Sequence, residues 1–291
     1  MSAIPVPAQR KDYGALAQKL ESMHGWCIAQ YAASLMRMRP SVGAAILPVA
    51  GGIAIYTGPS PFSFTVGAGM AGPVSVEEID AIEDFFRLRQ HSVRVDITPF
   101  THPGLLETLL SRGYRRSEFT SVLVLDLGAL PGGRPGTDDA RRSSPDARGS
   151  AAPERTVVRW AGLEECNRWI EVIAHCFFVD DPGPERRANM AALFHVPGSL
   201  NTFTSVGNEV VGVAGGMIHP DGDLVALFGS ATLPRFRRRG IHHAMLDFRL
   251  NHARSQGCKL ALITATPGST SERNLMRYGF VECYQKVTYA K

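Results

Sequence analysis

Two stretches of this chain repeat each other at one fixed offset, and no other feature limits the possible folds as strongly. Ser92-Val-Arg-Val-Asp-Ile97-Thr98 falls without gaps on Cys258-Lys-Leu-Ala-Leu-Ile263-Thr264. At the same offset of 166 residues, Leu109-Leu-Ser-Arg-Gly113-Tyr114 falls on Leu275-Met-Arg-Tyr-Gly279-Phe280. Each copy then continues into a strand-like run, Phe119 to Leu127 and Cys283 to Ala290. Tandem copies of one α/β unit are expected. With 291 residues, 44% of them apolar and 20% charged, the chain can bury two ordinary cores. Residues 128–155 are rich in Gly, Pro, Ser, Ala and charge and almost free of large apolar side chains, the composition of a flexible linker. The expected division is 1–127, 128–155 and 156–291.

The copies part company at one loop. Arg235-Phe-Arg-Arg-Arg-Gly-Ile-His-His243 follows the buried, strand-like Leu224-Val-Ala-Leu-Phe228, with Pro234 blocking continuation of the strand. Ala244, Leu246, Leu250 and Ala253 then recur at helical spacing. A helix start of this kind presents unpaired N–H groups and the positive end of the helix dipole, and four arginines add charge, so a phosphate is the expected ligand. In the first copy Ala71-Gly-Pro-Val74 occupies the place of Arg237 to Gly240. It has no arginine, and Pro73 lacks an N–H. The first copy keeps the packing pattern and loses the phosphate chemistry. Its expected job is to pack against the second copy and close one side of the substrate cleft, with the helix-like run Tyr13 to Met38 as a wall or, on the plainer reading, as core, and Val76 to Gln90 opposite the helix that starts near Gly240.

Arg237-x-x-Gly240 ahead of a helix resembles the pyrophosphate loop of the Gcn5-related N-acetyltransferases (GNAT), whose pattern is Arg or Gln-x-x-Gly-x-Gly or Ala. Thr264 to Phe280 resembles that family's fifth strand, fourth helix and closing Gly-Phe. The order of strand-like and helix-like runs from Thr156 to Lys291 follows the family throughout. One departure is His242, which stands where the family has Gly or Ala. The resemblance implies an α/β fold of tandem GNAT-like units, each a central mixed sheet flanked by helices, with acetyl-coenzyme A as co-substrate and no metal. It further implies that backbone groups of Thr232 and Leu233 bond the pantetheine arm. The N–H groups of Arg238, Arg239, Gly240, Ile241 and His242 would hold the pyrophosphate, with Arg237 adding charge and Asn274 touching the donor arm. Ser269 or Thr270 is expected to cap the helix carrying Asn274, with Glu272 and Arg273 solvated.

Attack of an amine on a thioester needs a proton acceptor, donors for the developing oxyanion and a proton for the departing thiolate. Where the family often carries a tyrosine four residues before the closing glycine, this chain has Leu275. Catalytic candidates are His175, Ser230 acting through a water, and Tyr284, with Asp180, Asp181, His195 and His219 as further bases. Each has a plainer reading. Asp180-Asp181-Pro-Gly and His219-Pro-Asp-Gly-Asp carry turn signals, and His175 lies among apolar neighbours on a helix. Five cysteines at scattered positions predict neither disulfides nor a zinc site, and Cys176 beside His175 reads as a buried hydrophobe.

These features predict an N-acetyltransferase acting on a small-molecule or peptide amine. The alternative is a non-catalytic acyl-CoA sensor, which His242 and the missing tyrosine favour. A nucleic-acid surface is not expected from a net charge of +4 concentrated in five residues with a single aromatic. No run has the length of a membrane span or the pattern of a signal peptide, so a cytoplasmic location is expected.

Overall fold

The computed structural model describes residues 10–130 and 155–291, with side chains from residue 14 onward. Residues 131–154, most of the expected linker, lie outside the described residues. Two compact units result, Met1–Leu125 with Leu262–Lys291, and Asp126–Ala261. Residues 262–291, counted with the second copy by the repeat, are compact with the first unit because the final strand is hydrogen-bonded there.

The first unit holds α1 (Arg10–Met38), β1 (Ala45–Val49), β2 (Gly52–Tyr56), β3 (Phe64–Val66), α2 (Val76–Arg87), β4 (Arg94–Ile97), α3 (Pro103–Ser111) and β5 (Arg115–Asp126). Its strand order is β1-β2-β3-β4, then the C-terminal strand, then β5. β1 and β2 form a hairpin through Ala50 and Gly51, both at positive φ (56° and 71°), the geometry that matches the twist of a two-residue turn. Pro48 is tolerated because β1 is the edge strand. β3 runs parallel to β4, pairing Thr65 with Val95, and the other pairings are antiparallel. Both faces of this sheet are covered. Ala54, Tyr56, Val95, Ile97 and Tyr289 pack on one side with Ile79, Ile82 and Phe86 of α2 and Leu105 and Leu109 of α3. On the other side α1 approaches so closely at Gly25 that a Cβ there would stand 2.9 Å from Ile53.

The second unit holds β6 (Thr156–Trp160), α4 (Cys166–Phe177), α5 (Gly183–Phe194), β7 (Thr202–Val206), β8 (Glu209–Ile218), β9 (Leu224–Thr232) and α6 (Ile241–Ser255). Its strands are antiparallel in the order β9-β8-β7-β6. Trp169, Ile170 and Ile173 of α4 pack with Phe194, Phe203 and Val213 on one face. Ile241 and Met245 of α6 pack with Val211 and Ala214 on the other. Gly212 permits that contact, since a Cβ there would meet Ile241 at 3.2 Å and the Ala231 carbonyl at 2.9 Å. β10 (Leu260–Ala265) crosses the unit boundary, and α7 (Thr270–Tyr278) and β11 (Val281–Ala290) complete the first unit.

The repeat survives in the structure. At the offset of 166 residues, β4 and β10 begin at the equivalent Arg94 and Leu260, β3 and β9 end at Val66 and Thr232, and β5 and β11 begin at Arg115 and Val281.

Candidate functional site

β9 ends at Thr232, a short 3-10 turn spans Pro234–Phe236, and the chain turns into α6 through Arg238 (φ 63°) and Gly240 (φ 78°). Among the described residues, no acceptor takes the N–H groups of Arg238, Arg239, Gly240, Ile241 or His242, no side chain caps α6, and no acid stands in its first turn. Unpaired donors at a helix start are groups to which an anion can bind. Of the four arginines, Arg235 is neutralised by Glu209 and lies 5.2 Å from the centre of the Phe236 ring. Arg237, Arg238 and Arg239 remain exposed and unneutralised, Arg239 stacking 5.2 Å from the same ring.

The equivalent helix start in the first unit is closed. Ser75 caps α2, its hydroxyl accepting from the Glu78 N–H at 3.2 Å while the Glu78 carboxylate accepts from the Ser75 N–H at 2.9 Å. Glu77 adds a second negative charge to the first turn. The position that α6 offers to an external anion is filled at α2 by the chain's own carboxylate.

The expected donor residues have these surroundings. The Thr232 carbonyl accepts from Arg237 Nε at 3.2 Å. Both backbone groups of Leu233 are already committed, its N–H to the Val211 carbonyl and its carbonyl to the Phe236 N–H, each at 2.9 Å. Its side chain packs beside Phe236 instead. The His242 ring is packed inward beside Arg249. Burial, with the Arg249 charge behind it, pushes its pKa down to about 4, so the ring is neutral at pH 7. Its Nδ1 is buried and has no hydrogen-bond partner among the described residues. Asn274, half-buried on α7 in the first unit, accepts from Arg277 Nη1 at 3.1 Å. Ser269 caps α7 as expected, at 3.1 Å from the Glu272 N–H. Glu272 departs from the expectation of solvation: it is buried and accepts from the Gly268 N–H, because the capping loop folds over it.

The catalytic candidates separate. His175 is exposed on the last turn of α4, and no hydrogen bond joins it to Ser230 among the described residues. Ser230, on β9, accepts from the Arg249 guanidinium at 3.0 Å. Tyr284 belongs to the first unit and donates to Glu21 at 2.7 Å. Burial and that carboxylate raise its pKa, so its proton is held. Leu275 is wholly buried. Asp181 pairs with Arg187, which also holds Glu171, so it braces the α4–α5 corner. His219 closes the β8–β9 turn, accepting from the Gly222 N–H through its carbonyl at 2.8 Å. His195 ends α5 beside Phe194. The Cys176 thiol is raised by burial, with the nearby Arg237 charge opposing.

Two groups of residues escaped the sequence reading. Arg249, fully buried on α6, is one. Its only signal is a charged residue on the stripe of Met245, Leu246, Leu250 and Ala253. The other is a buried cluster in the first unit, where β11 directs Tyr284, Lys286 and Thr288 toward α1. Lys286 Nζ lies 2.8 Å from Glu21, 2.9 Å from Asp96 and 2.9 Å from His24 Nδ1. Glu21, His24 and Asp96 form the kind of triad that could hold a metal, and the ammonium sits where such a cation would.

Residues 157–280 match the acetyltransferase (GNAT) family. No curated protein matches the sequence. A GCN5-related N-acetyltransferase from Kribbella flavida superposes with a TM-score of 0.58 at 16% identity, covering 90% of this chain and 95% of that one. A tandem GNAT protein from the clavulanic acid biosynthesis pathway gives 0.59 at 12% identity, covering 98% and 96%. A GCN5-related N-acetyltransferase from Sphaerobacter thermophilus gives 0.55 at 16%, covering 85% and 75%. Among the described residues no helix is long and apolar enough to cross a membrane. The chain thus carries the GNAT acetyltransferase pattern over residues 157–280 and shares the fold of tandem GNAT proteins over nearly its whole length.

Proposed function

We infer that this protein transfers an acetyl group from acetyl-coenzyme A to a primary amine, with the donor bound at the β9–α6 loop of the second unit. The observation that carries this reading is the contrast between two equivalent helix starts: α2 closed by Ser75 and Glu78, α6 open and flanked by Arg237, Arg238 and Arg239. The residues present fit the co-substrate. The N–H groups of Arg238 to His242 and the three unneutralised arginines suit a pyrophosphate, and the buried, unpartnered His242 Nδ1 offers one further polar contact. Thr232 supplies the strand-end backbone for the pantetheine arm, and Arg237 must release the Thr232 carbonyl as it turns to phosphate. Leu233 contributes a packing surface.

When bound, acetyl-coenzyme A supplies a thioester whose carbonyl carbon an amine can attack. The chain has to hold the donor's charge, orient that carbonyl and manage two protons. Ser230 receives a hydrogen bond from a guanidinium, which disfavours any further positive charge on its oxygen, so the hydroxyl serves as a donor and not as a base. The attacking amine loses its proton to water, directly or through exposed His175, the C–S bond breaks as the C–N bond forms, and the departing thiolate takes a proton from water.

The test is thiol release from acetyl-coenzyme A across a panel of polyamines, amino acids and peptide N-termini. Transfer to at least one amine is expected, rising with pH as the acceptor deprotonates. Wholly buried Leu275, in the position where a proton donor would stand, favours the alternative of an acyl-CoA sensor. Tight binding of intact acetyl-coenzyme A with no transfer to any amine would establish that alternative.

A further inference from the structure

β9 is not a regular strand. Val213 pairs with Ala231 and Gly215 pairs with Phe228, so Gly229 and Ser230 together stand opposite Ala214 alone. Gly229 has φ 61°, the left-handed first residue of a glycine bulge. Glycine adopts this angle without strain, and it is the angle and not lack of space that calls for it, because a Cβ there would meet nothing closer than 4.0 Å. Bulges re-aim the backbone that follows, and here that backbone is Ala231 and Thr232, the end of the strand leading into the anion loop.

One buried side chain ties the bulge down on both strands. The Arg249 guanidinium donates through Nη2 to Ser230 Oγ at 3.0 Å, through Nη1 to the Gly215 carbonyl, and through Nε to the Met245 carbonyl at 3.0 Å. It is fully buried. The three acceptors belong to β9, β8 and α6. A planar fork can serve three acceptors in fixed directions; a lysine ammonium on a flexible stem cannot reproduce that arrangement. The same helix that presents its N-terminus to the anion therefore also carries the clamp for the bulge, two turns further along.

We propose that Arg249 is a positioning residue, which holds the Gly229–Ser230 bulge and so orients the end of β9 for acetyl transfer. Its use in transfer rests on the function proposed above; its hold on the bulge does not.

The experiment compares the parent with Arg249→Lys, Ser230→Ala and Gly240→Asp, all as full chains. Amide hydrogen exchange over 224–233 is measured without ligand, coenzyme A affinity by calorimetry, and turnover with the best amine of the panel. For Arg249→Lys the expected result is exchange at least tenfold faster over 224–233, coenzyme A affinity within about threefold of the parent, and a turnover number reduced at least tenfold. Ser230→Ala, which removes a single acceptor, should show the same pattern to a smaller extent and keeps the test open should Arg249→Lys not fold. Gly240→Asp should lose coenzyme A affinity with unchanged exchange over 224–233. Unchanged exchange in both clamp variants, or turnover that falls only in step with coenzyme A affinity, overturns the positioning role. If the parent neither binds coenzyme A nor transfers acetyl, the donor-site reading fails, and the exchange data still decide whether Arg249 holds the bulge.

Discussion

Lys286 shows how a single buried cation can organise the charges around it. Its side chain is about 2% exposed, and so is that of Glu21. Burial opposes the charge, yet Asp96 and Glu21 raise the Lys286 pKa, so the ammonium persists. Burial likewise works to raise the Asp96 pKa, but the Lys286 charge and the Thr288 hydroxyl outweigh it and leave that carboxyl below its usual value. His24, pushed down to about 3 by burial and by the Lys286 charge, stays neutral. Removing one partner of such a pair costs about 3–5 kcal/mol, and Lys286→Met is expected to destabilise by that order in chemical denaturation. A carboxyl with a depressed pKa contributes stability above its unfolded pKa and loses it as pH falls further, so Asp96 weakens the parent only below about pH 5 and leaves it level between pH 7 and pH 5. In Lys286→Met, buried Asp96 has lost its cation, and stability should instead rise between pH 7 and pH 5 as it takes up a proton. A variant whose stability stays level or falls between pH 7 and pH 5 would show that the cluster is not held by this ion network. At the donor loop, Arg237→Ala should lower coenzyme A affinity about tenfold, equivalent to roughly 1.4 kcal/mol and near the low end for charge-assisted bonds because the side chain is exposed. Gly240→Asp should cost more, since it adds negative charge and a Cβ at φ 78°. Calorimetric affinities in that order are expected.

At the level of elements, helix starts decide where an anion can bind. α2 and α6 occupy equivalent places in the repeat, and the hydrophobic residues that seat them are of one kind. What separates them is the fate of their first N–H groups. Ser75→Ala removes one half of the α2 capping box and should cost about 1 kcal/mol, read as a lower melting temperature. It should not confer coenzyme A binding on the first unit, because Glu77 and Glu78 remain in the first turn. A variant that gained a second coenzyme A site in calorimetry would show that capping alone had closed it.

For the whole molecule, a ligand held only by the folded state stabilises it by mass action, by about 2.7 kcal/mol at one hundred times its dissociation constant. Acetyl-coenzyme A should raise the melting temperature with one-to-one stoichiometry, and the shift should vanish in Gly240→Asp. Two sites per chain would mean that the first unit also binds the donor.

How much of this could be read from the residues depends on the range of the interactions involved. α1 and α2 fall on the helix-like runs Tyr13 to Met38 and Val76 to Gln90, β4 and β10 on the repeated segments that begin at Ser92 and Cys258, and the open loop at Arg237 to Gly240 is where glycine, arginine and helical spacing place it. All of these follow from local rules: periodicity, caps and turn residues. The strands β1 to β3 were less legible, since Pro48 and a run of glycines obscure a short hairpin whose stability comes from α1 and α2. Arg249 reads as a solvated helix charge until Gly215, 34 residues away, and Ser230, 19 away, are brought to it. Lys286 meets Glu21 across 265 residues. The sequence by itself determined the repeat, the elements and the chemistry offered at the loop. Only the tertiary structure decided which charges are buried and with whom, because the free energy of a buried ion depends on partners that no local pattern names.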